Sequence, residues 1–387
     1  LENNWIGTTT DGMAQGNLAC TMGFELTGFN DALTIRDNRI AGILGHGQGP
    51  HHAGQLFGWA IYMTGSGSGI SIVGNTIGLD ALDQPVLGSV TGIDIGSFYF
   101  QGATDLRIGG IGIGEGNVIA GHIFNGITIG REVAEARISG NSIYANGWLG
   151  IDLVPTSYGY GVTPNDPLDV DTGGNGLQNF PVLDVATSDG ANLHVAGSLE
   201  SDPATSFRIE FFASPACDET GFGEGQQYLG FTDVLSDGSG LAGFDLVLNA
   251  VTQAGWMLTA TATCEPIGAT SEFSQCLEIV GGTTVGVEES DVPQAWTARL
   301  LGNHPNPFRS QTSIGFELRS DAATRLAIHD ASGRLVRTLV DGTTAAGHTF
   351  VPWDGRNDRG RLVAPGVYFT RLEVEGSVET GRLLLTR

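Results

Sequence analysis
Short runs in which apolar positions alternate with small or polar ones return at near-regular intervals through the first 155 residues. Gly-apolar-x-apolar occurs as GFEL (23–26), GWAI (58–61), GIDI (92–95), GITI (126–129) and GIDL (150–153), at offsets of 35, 34, 34 and 24 residues. Asn-x-Ile keeps step with it at Asn4, Asn38, Asn75, Asn117 and Asn141. A third mark precedes the later Asn residues: LTIRD (33–37), ISIVG (70–74), LRIGG (106–110) and ARISG (136–140). No stretch between the marks carries the 3.6-residue period of an amphipathic helix, which excludes crossover helices. Interleaved marks at a shared period predict repeating units of three short strands. Each strand then pairs in parallel with its equivalent one unit later and buries a column of Ile, Leu and Val. Gly and Asn suit the bends between strands, and stacked Asn side chains can form a ladder.

This repeat form resembles the right-handed parallel β-helix superfamily, which includes pectate lyases, polygalacturonases and many bacterial surface proteins. The resemblance covers residues 1–162 and rests on the repeat, with no catalytic signature. The chain opens on Asn4-Trp5-Ile6, already the third strand of a unit. Further units and an export signal are therefore expected upstream of Leu1.

Beyond the repeats, alternating runs such as NLHVAGSLES, SFRIEFFAS, LAGFDLVL and WMLTATATC, bounded by Gly, Pro, Asp or Ser, predict a sandwich of about 100 residues over 182–280. Residues 281–298 lack a period and read as a linker. The last segment, 299–387, holds Asn303-His304-Pro305-Asn306-Pro307-Phe308, TSIGFELRS, Trp353-Asp354-Gly355 and Pro365-Gly366-Val367-Tyr368-Phe369. It resembles the C-terminal sorting domain of type IX secretion cargo and the similar flagellar-hook-cap-type Ig-like domain. His304 stands where that family usually has Tyr, and Arg382 and Arg387 where Lys is common. The expected fold is all-β: a right-handed parallel β-helix followed by two Ig-like β-sandwich domains.

A formal charge of -24 disfavours nucleic acid and anionic membranes as partners, since phosphate recognition needs a basic face. No run of 18 apolar residues is present to span a bilayer. The four cysteines form no Cys-x-x-Cys, which argues against zinc and thioredoxin-type chemistry. Cys217 and Cys276 are expected to pair, leaving Cys20 and Cys264 as free small hydrophobes or a second pair.

Three places could hold chemistry. The x positions of Gly-apolar-x-apolar point away from the core and read Glu25, Ala60, Asp94, Thr128 and Asp152. Asp94 and Asp152, two rungs apart, would be separated by about 9–10 Å, near the upper end of the carboxylate spacing of an inverting glycosidase. They are the candidate catalytic pair, with Glu25, Thr128, Trp59 and Tyr62 as a ligand face and Phe98 beside it; the same acids also read as plain solvated strand residues. The connector 163–181 places oxygen-bearing side chains at Asp166, Asp169, Asp171 and Asn175, the donor type a calcium ion gathers, although Asx turns facing water give the same composition. His46, His51 and His52 fall in a long loop with no carboxylate or Cys beside them.

These readings support an exported, cell-surface or secreted bacterial protein that binds extracellular polysaccharide or acts in adhesion. Its segment 299–387 would meet outer-membrane export and attachment machinery. The alternatives are a polysaccharide hydrolase or lyase using the outward acids, and a purely architectural stalk.

Overall fold
The computed structural model describes the chain except residues 8–21, 29, 44, 47–55, 86–87, 97–102, 157–158, 160, 283–297, 305–307, 309–311, 319–320, 331–332, 346, 375–376 and 387. Cys20, His51, His52 and Phe98 therefore lie outside the described residues. The protein is all-β, with no α-helix among the described residues. It divides into two compact units, Leu1–Thr284 and Val285–Arg387.

The first 153 residues form three parallel stacks, visited in the same cyclic order by each repeat. One holds the Asn-x-Ile strands in the order Trp5–Ile6, Arg39–Ile40, Thr76–Ile77, Val118–Ala120 and Ser142–Tyr144. A second holds Met22–Leu26, Trp59–Met63, Thr91–Ile95, Ile127–Ile129 and Ile151–Leu153. The third holds Thr34–Arg36, Gly67–Val73, Ala103–Gly109 and Ala136–Ser139. Equivalent apolar residues meet in register, as in Ile61, Ile93, Ile127 and Ile151, and in Ile72, Ile108 and Ile138. These side chains are buried in one continuous core. Burying each is worth about 1.5–3 kcal/mol, so the stack is held by its interior column.

At the bends the five Asn form a ladder. The side-chain oxygens of Asn38, Asn75, Asn117 and Asn141 each accept both the backbone N–H and the side-chain NH2 of the Asn one turn earlier, at 2.9–3.0 Å. The spare side-chain N–H of Asn75 and Asn117 reaches backbone carbonyls at Ile35 and Ile72. Bends that would leave buried peptide groups unmatched are thereby satisfied.

Residues 182–281 form two sheets over a second core. One sheet holds Val182–Ser188, Leu193–Glu200 and Leu241–Leu248; the facing one holds Ser206–Ser214, Gln227–Leu235 and Met257–Cys264. Cys217 and Cys276 are joined by a disulfide with their Cα atoms 6.0 Å apart, and Cys264 is a buried free thiol.

This sandwich closes the last turn of the stack. Gly225 exchanges both backbone hydrogen bonds with Ile143, and Phe212 and Phe273 join the apolar interior of the stack. Three buried glutamates of the sandwich accept donors at the last turn of the stack and just beyond it. Glu210 accepts from Ser139 Oγ and Gly140 N, Glu224 from Asn146 N and Nδ2, and Glu272 from Leu153 N and Thr163 N. Asn175 binds the backbone N–H and C=O of Ala136, matching the edge of the third stack.

The second unit has its own core, with Trp353 and Phe316 fully buried. A three-stranded antiparallel sheet (Ala298–His304, Thr312–Leu318, Gly347–Trp353) accompanies a four-stranded one (Leu335–Thr344, Ala322–Asp330, Gly366–Val374, Ser377–Leu385). The turn after Asp330 is closed by Gly333 N–H to Asp330 O, with Gly333 at φ 82°. Trp353 donates its indole N–H to Arg356 O, so this large anchor is buried without a polar mismatch.

Candidate functional site
The outward column on the second stack is Glu25, Tyr62, Asp94, Thr128 and Asp152, with Tyr62 where the repeat pattern had suggested Ala60. The strand pairs two residues later than GWAI implied: Ile61 stands opposite Phe24 and Ile93, and Ala60 takes the place of the usual Gly. Trp59 lies on the same strand, its ring 4.9 Å from that of Tyr62.

The expected open ligand face is corrected by burial. Asp94, Thr128 and Asp152 are only 3, 2 and 0% exposed, and Tyr62 is buried as well, whereas Glu25 is exposed. Asn125 donates to Asp152 Oδ2 at 2.8 Å and to Thr128 Oγ1 at 3.0 Å, while Gly161 N–H binds Asp152 Oδ1 at 3.0 Å. Gly161, beyond the last rung, thus meets the last acid of the column. Burial, with the nearby Asp94 charge assisting, pushes Asp152 up to about 6 against the hydrogen bonds that hold it down. Asp94 and Asp152 share one column, yet a polymer in solvent cannot reach Asp152 in this arrangement.

In the connector, Asp166, Asp169 and Asp171 converge, with one carboxylate oxygen from each lying within 4.8 Å of the others. Asp169 is engaged by Ser201 Oγ, Gln178 Nε2 and Asn179 N at 2.6, 2.7 and 3.1 Å. Burial pushes it up to about 7. Asp166 Oδ1 and Asp171 Oδ1 are buried with no hydrogen-bond partner, the state in which a cation would satisfy them. Asn175 is corrected as a ligand: its amide is spent on Ala136 and on Thr270 O, so it belongs to the capping of the stack. His46 lies on the strand Gly45–His46, paired with Leu56–Phe57.

A groove of about 590 Å³ opens on a different face. Its floor is the outward position of the Asn-x-Ile strands, where Arg39, Thr76, Val118 and Ser142 stand in register. Tyr144 adds an aromatic face, and the sandwich contributes Gln226, Gln227 and Trp256. Ser142 Oγ donates to Gln226 O at 2.6 Å, fixing the sandwich against the floor. Arg39 is paired with Asp83 at 2.6 Å and lies over the Trp5 ring, 5.6 Å from its centre. Reading x in Asn-x-Ile as a column, as for the acids, would have found the floor. The walls come from residues far along the chain and carry no local signal.

Comparison with known families bears on the second unit. Residues 302–377 match the FlgD Ig-like domain family. The C-terminal unit is therefore Ig-like. No curated protein matches the chain. Among solved structures, dimeric latent PorU from Porphyromonas gingivalis is 13% identical, with a TM-score of 0.25, over 53% of this chain and 20% of that one. Red sea bream transglutaminase is 9% identical, with a TM-score of 0.18, over 54% of this chain and 31% of that one. The chain thus spans less than a third of either.

Proposed function
We propose that the protein is an exported bacterial β-helix protein that binds extracellular polysaccharide, held at or released from the cell surface by its Ig-like C-terminal unit. The three parallel stacks, visited cyclically, are read as one right-handed parallel β-helix, and 182–280 as a further Ig-like sandwich. The observation that carries the binding reading is the burial of Asp94 and Asp152 together with an open, aromatic-bearing groove on the stack. Export is supported by the Cys217–Cys276 disulfide, a bond that persists in oxidising compartments, and by the FlgD Ig-like match. The outer-membrane export and attachment machinery would read the C-terminal unit.

Placed behind an export signal in a bacterium with type IX secretion, the full chain is expected at the surface or in the medium. The recovered protein should be retained on polysaccharide matrices without releasing reducing ends. Cytosolic recovery contradicts the export reading. Release of ends that is lost in Asp94→Asn or Asp152→Asn would make the protein a hydrolase instead. In the connector, calcium held by Asp166 and Asp171 with Asp169 beside them should raise the melting temperature, and an unchanged melt on chelation would reject it.

A further inference from the structure
We propose that the groove between the Asn-x-Ile stack and the sandwich binds a neutral glycan chain, at a site built by Tyr144, Trp256, Ser142, Thr76, Gln226 and Gln227. This rests on the polysaccharide-binding reading and names its site and ligand class. The floor follows four successive rungs, so it extends about 14 Å at roughly 4.8 Å per rung. That length suits an oligomer, and the volume of about 590 Å³ falls within the range of small-ligand sites, about 300–1,000 Å³.

The chemistry of the lining selects the class. Tyr144 and Trp256 are each half-buried, so they are held in place while keeping surface to offer. An aromatic face carries negative potential that attracts the weakly positive C–H faces of a pyranose ring. Around them stand the amides of Gln226 and Gln227 and the hydroxyls of Thr76 and Ser142. Ser142 gives its proton to Gln226 O and Gln227 spends one N–H on Val251 O, but each keeps an oxygen that accepts from a sugar hydroxyl. Charge argues against a polyanion: the net charge is -24, and the groove's cation, Arg39, is committed to Asp83 and to Asp80 O. A peptide fits less well, because the floor is a sheet face with its backbone already paired, leaving no strand edge for main-chain recognition.

The test is native electrophoresis of the full chain through gels containing laminarin, galactomannan or xyloglucan, with polygalacturonate and alginate as polyanions. We expect retardation by at least one neutral polymer, with its Kd raised about tenfold or more in Tyr144→Ala and in Gln227→Arg. Gln227 is exposed at the rim, so its variant keeps the test valid should Tyr144→Ala melt early. Phe124→Ala and Trp148→Ala remove an exposed aromatic pair, 50 and 43% exposed, outside the groove and should leave binding unchanged. Retardation that survives both groove variants overturns this site while leaving polysaccharide binding intact. Retardation by polyanions alone overturns the ligand class, and retardation by no polymer overturns both readings.

Discussion

Replacing Glu272 with alanine lowers the stability of the unit Leu1–Thr284 by roughly 3–4 kcal/mol at pH 5, and by less at pH 9. The size follows from two N–H groups, Leu153 and Thr163, losing their acceptor at 2.9 Å, at about 1–3 kcal/mol for each donor left unmatched in a buried site. For a unit of this size the melting temperature should fall by roughly 5–7 °C. The pH dependence follows from burial, which pushes Glu272 up to about 8, helped by Asp152, although both N–H bonds favour the charged form. A carboxyl raised in the folded state holds its proton while the unfolded chain gives it up. Stability therefore falls as pH rises from about 4.5 towards 8, and the gap between wild type and variant narrows over that window. Glu224, pushed up to about 7, and Glu210, raised by full burial, slope the same way. His122 opposes them in acid: burial holds it near 4, so stability is lost as pH falls below 6.5. Fluorescence melts of Glu272→Ala and wild type at pH 5 and pH 9 check the sign. A gap that is constant with pH, or under about 1 kcal/mol at pH 5, would contradict the capping role.

Asn75→Ala should be comparably damaging, at roughly 3–4 kcal/mol, because one side chain serves both directions of the ladder. It accepts from Asn38 N and Nδ2 and donates to Asn117 Oδ1, Ile35 O and Val73 O. Asn75→Asp is informative in a different way. It keeps the acceptor for Asn38 but turns a second oxygen towards three oxygens that need a donor. It should be at least as destabilising as alanine at pH 7, and less so at low pH where a proton restores one donor. Asn4→Ala, at the exposed end of the same ladder, should lose about 1 kcal/mol or less. Urea unfolding of the three variants gives the order, and equal losses at Asn4 and Asn75 would remove the ladder from the account.

The stacked sheets were legible because each mark answers to a local need. Ile at alternate positions fills an interior, and Asn at a bend supplies a donor and an acceptor to its neighbours. The slip at Ala60 arose where GWAI imitates the repeat two residues early, after a long insertion has removed the regular spacing. Burial of Asp152 was not legible, because Asn125 and Gly161 meet it only in the folded chain. Asn175 misled for a related reason: its composition matched a cation loop, while its amide is consumed by Ala136 and Thr270 across the fold. Glu210, Glu224 and Glu272 look like ordinary polar residues of the sandwich, and only tertiary placement makes them the closing contacts of the stack. The groove shares that origin, joining Thr76 and Ser142 to Gln226 and Trp256.

Scanning calorimetry of the intact chain tests most directly whether stack and sandwich form one body whose junction makes the groove. Two transitions are expected, one for residues 1–284 together and one for 285–387, with Glu272→Ala shifting only the first. Separate melting of the stack and the sandwich, with the stack unmoved by Glu272→Ala, would contradict the single body.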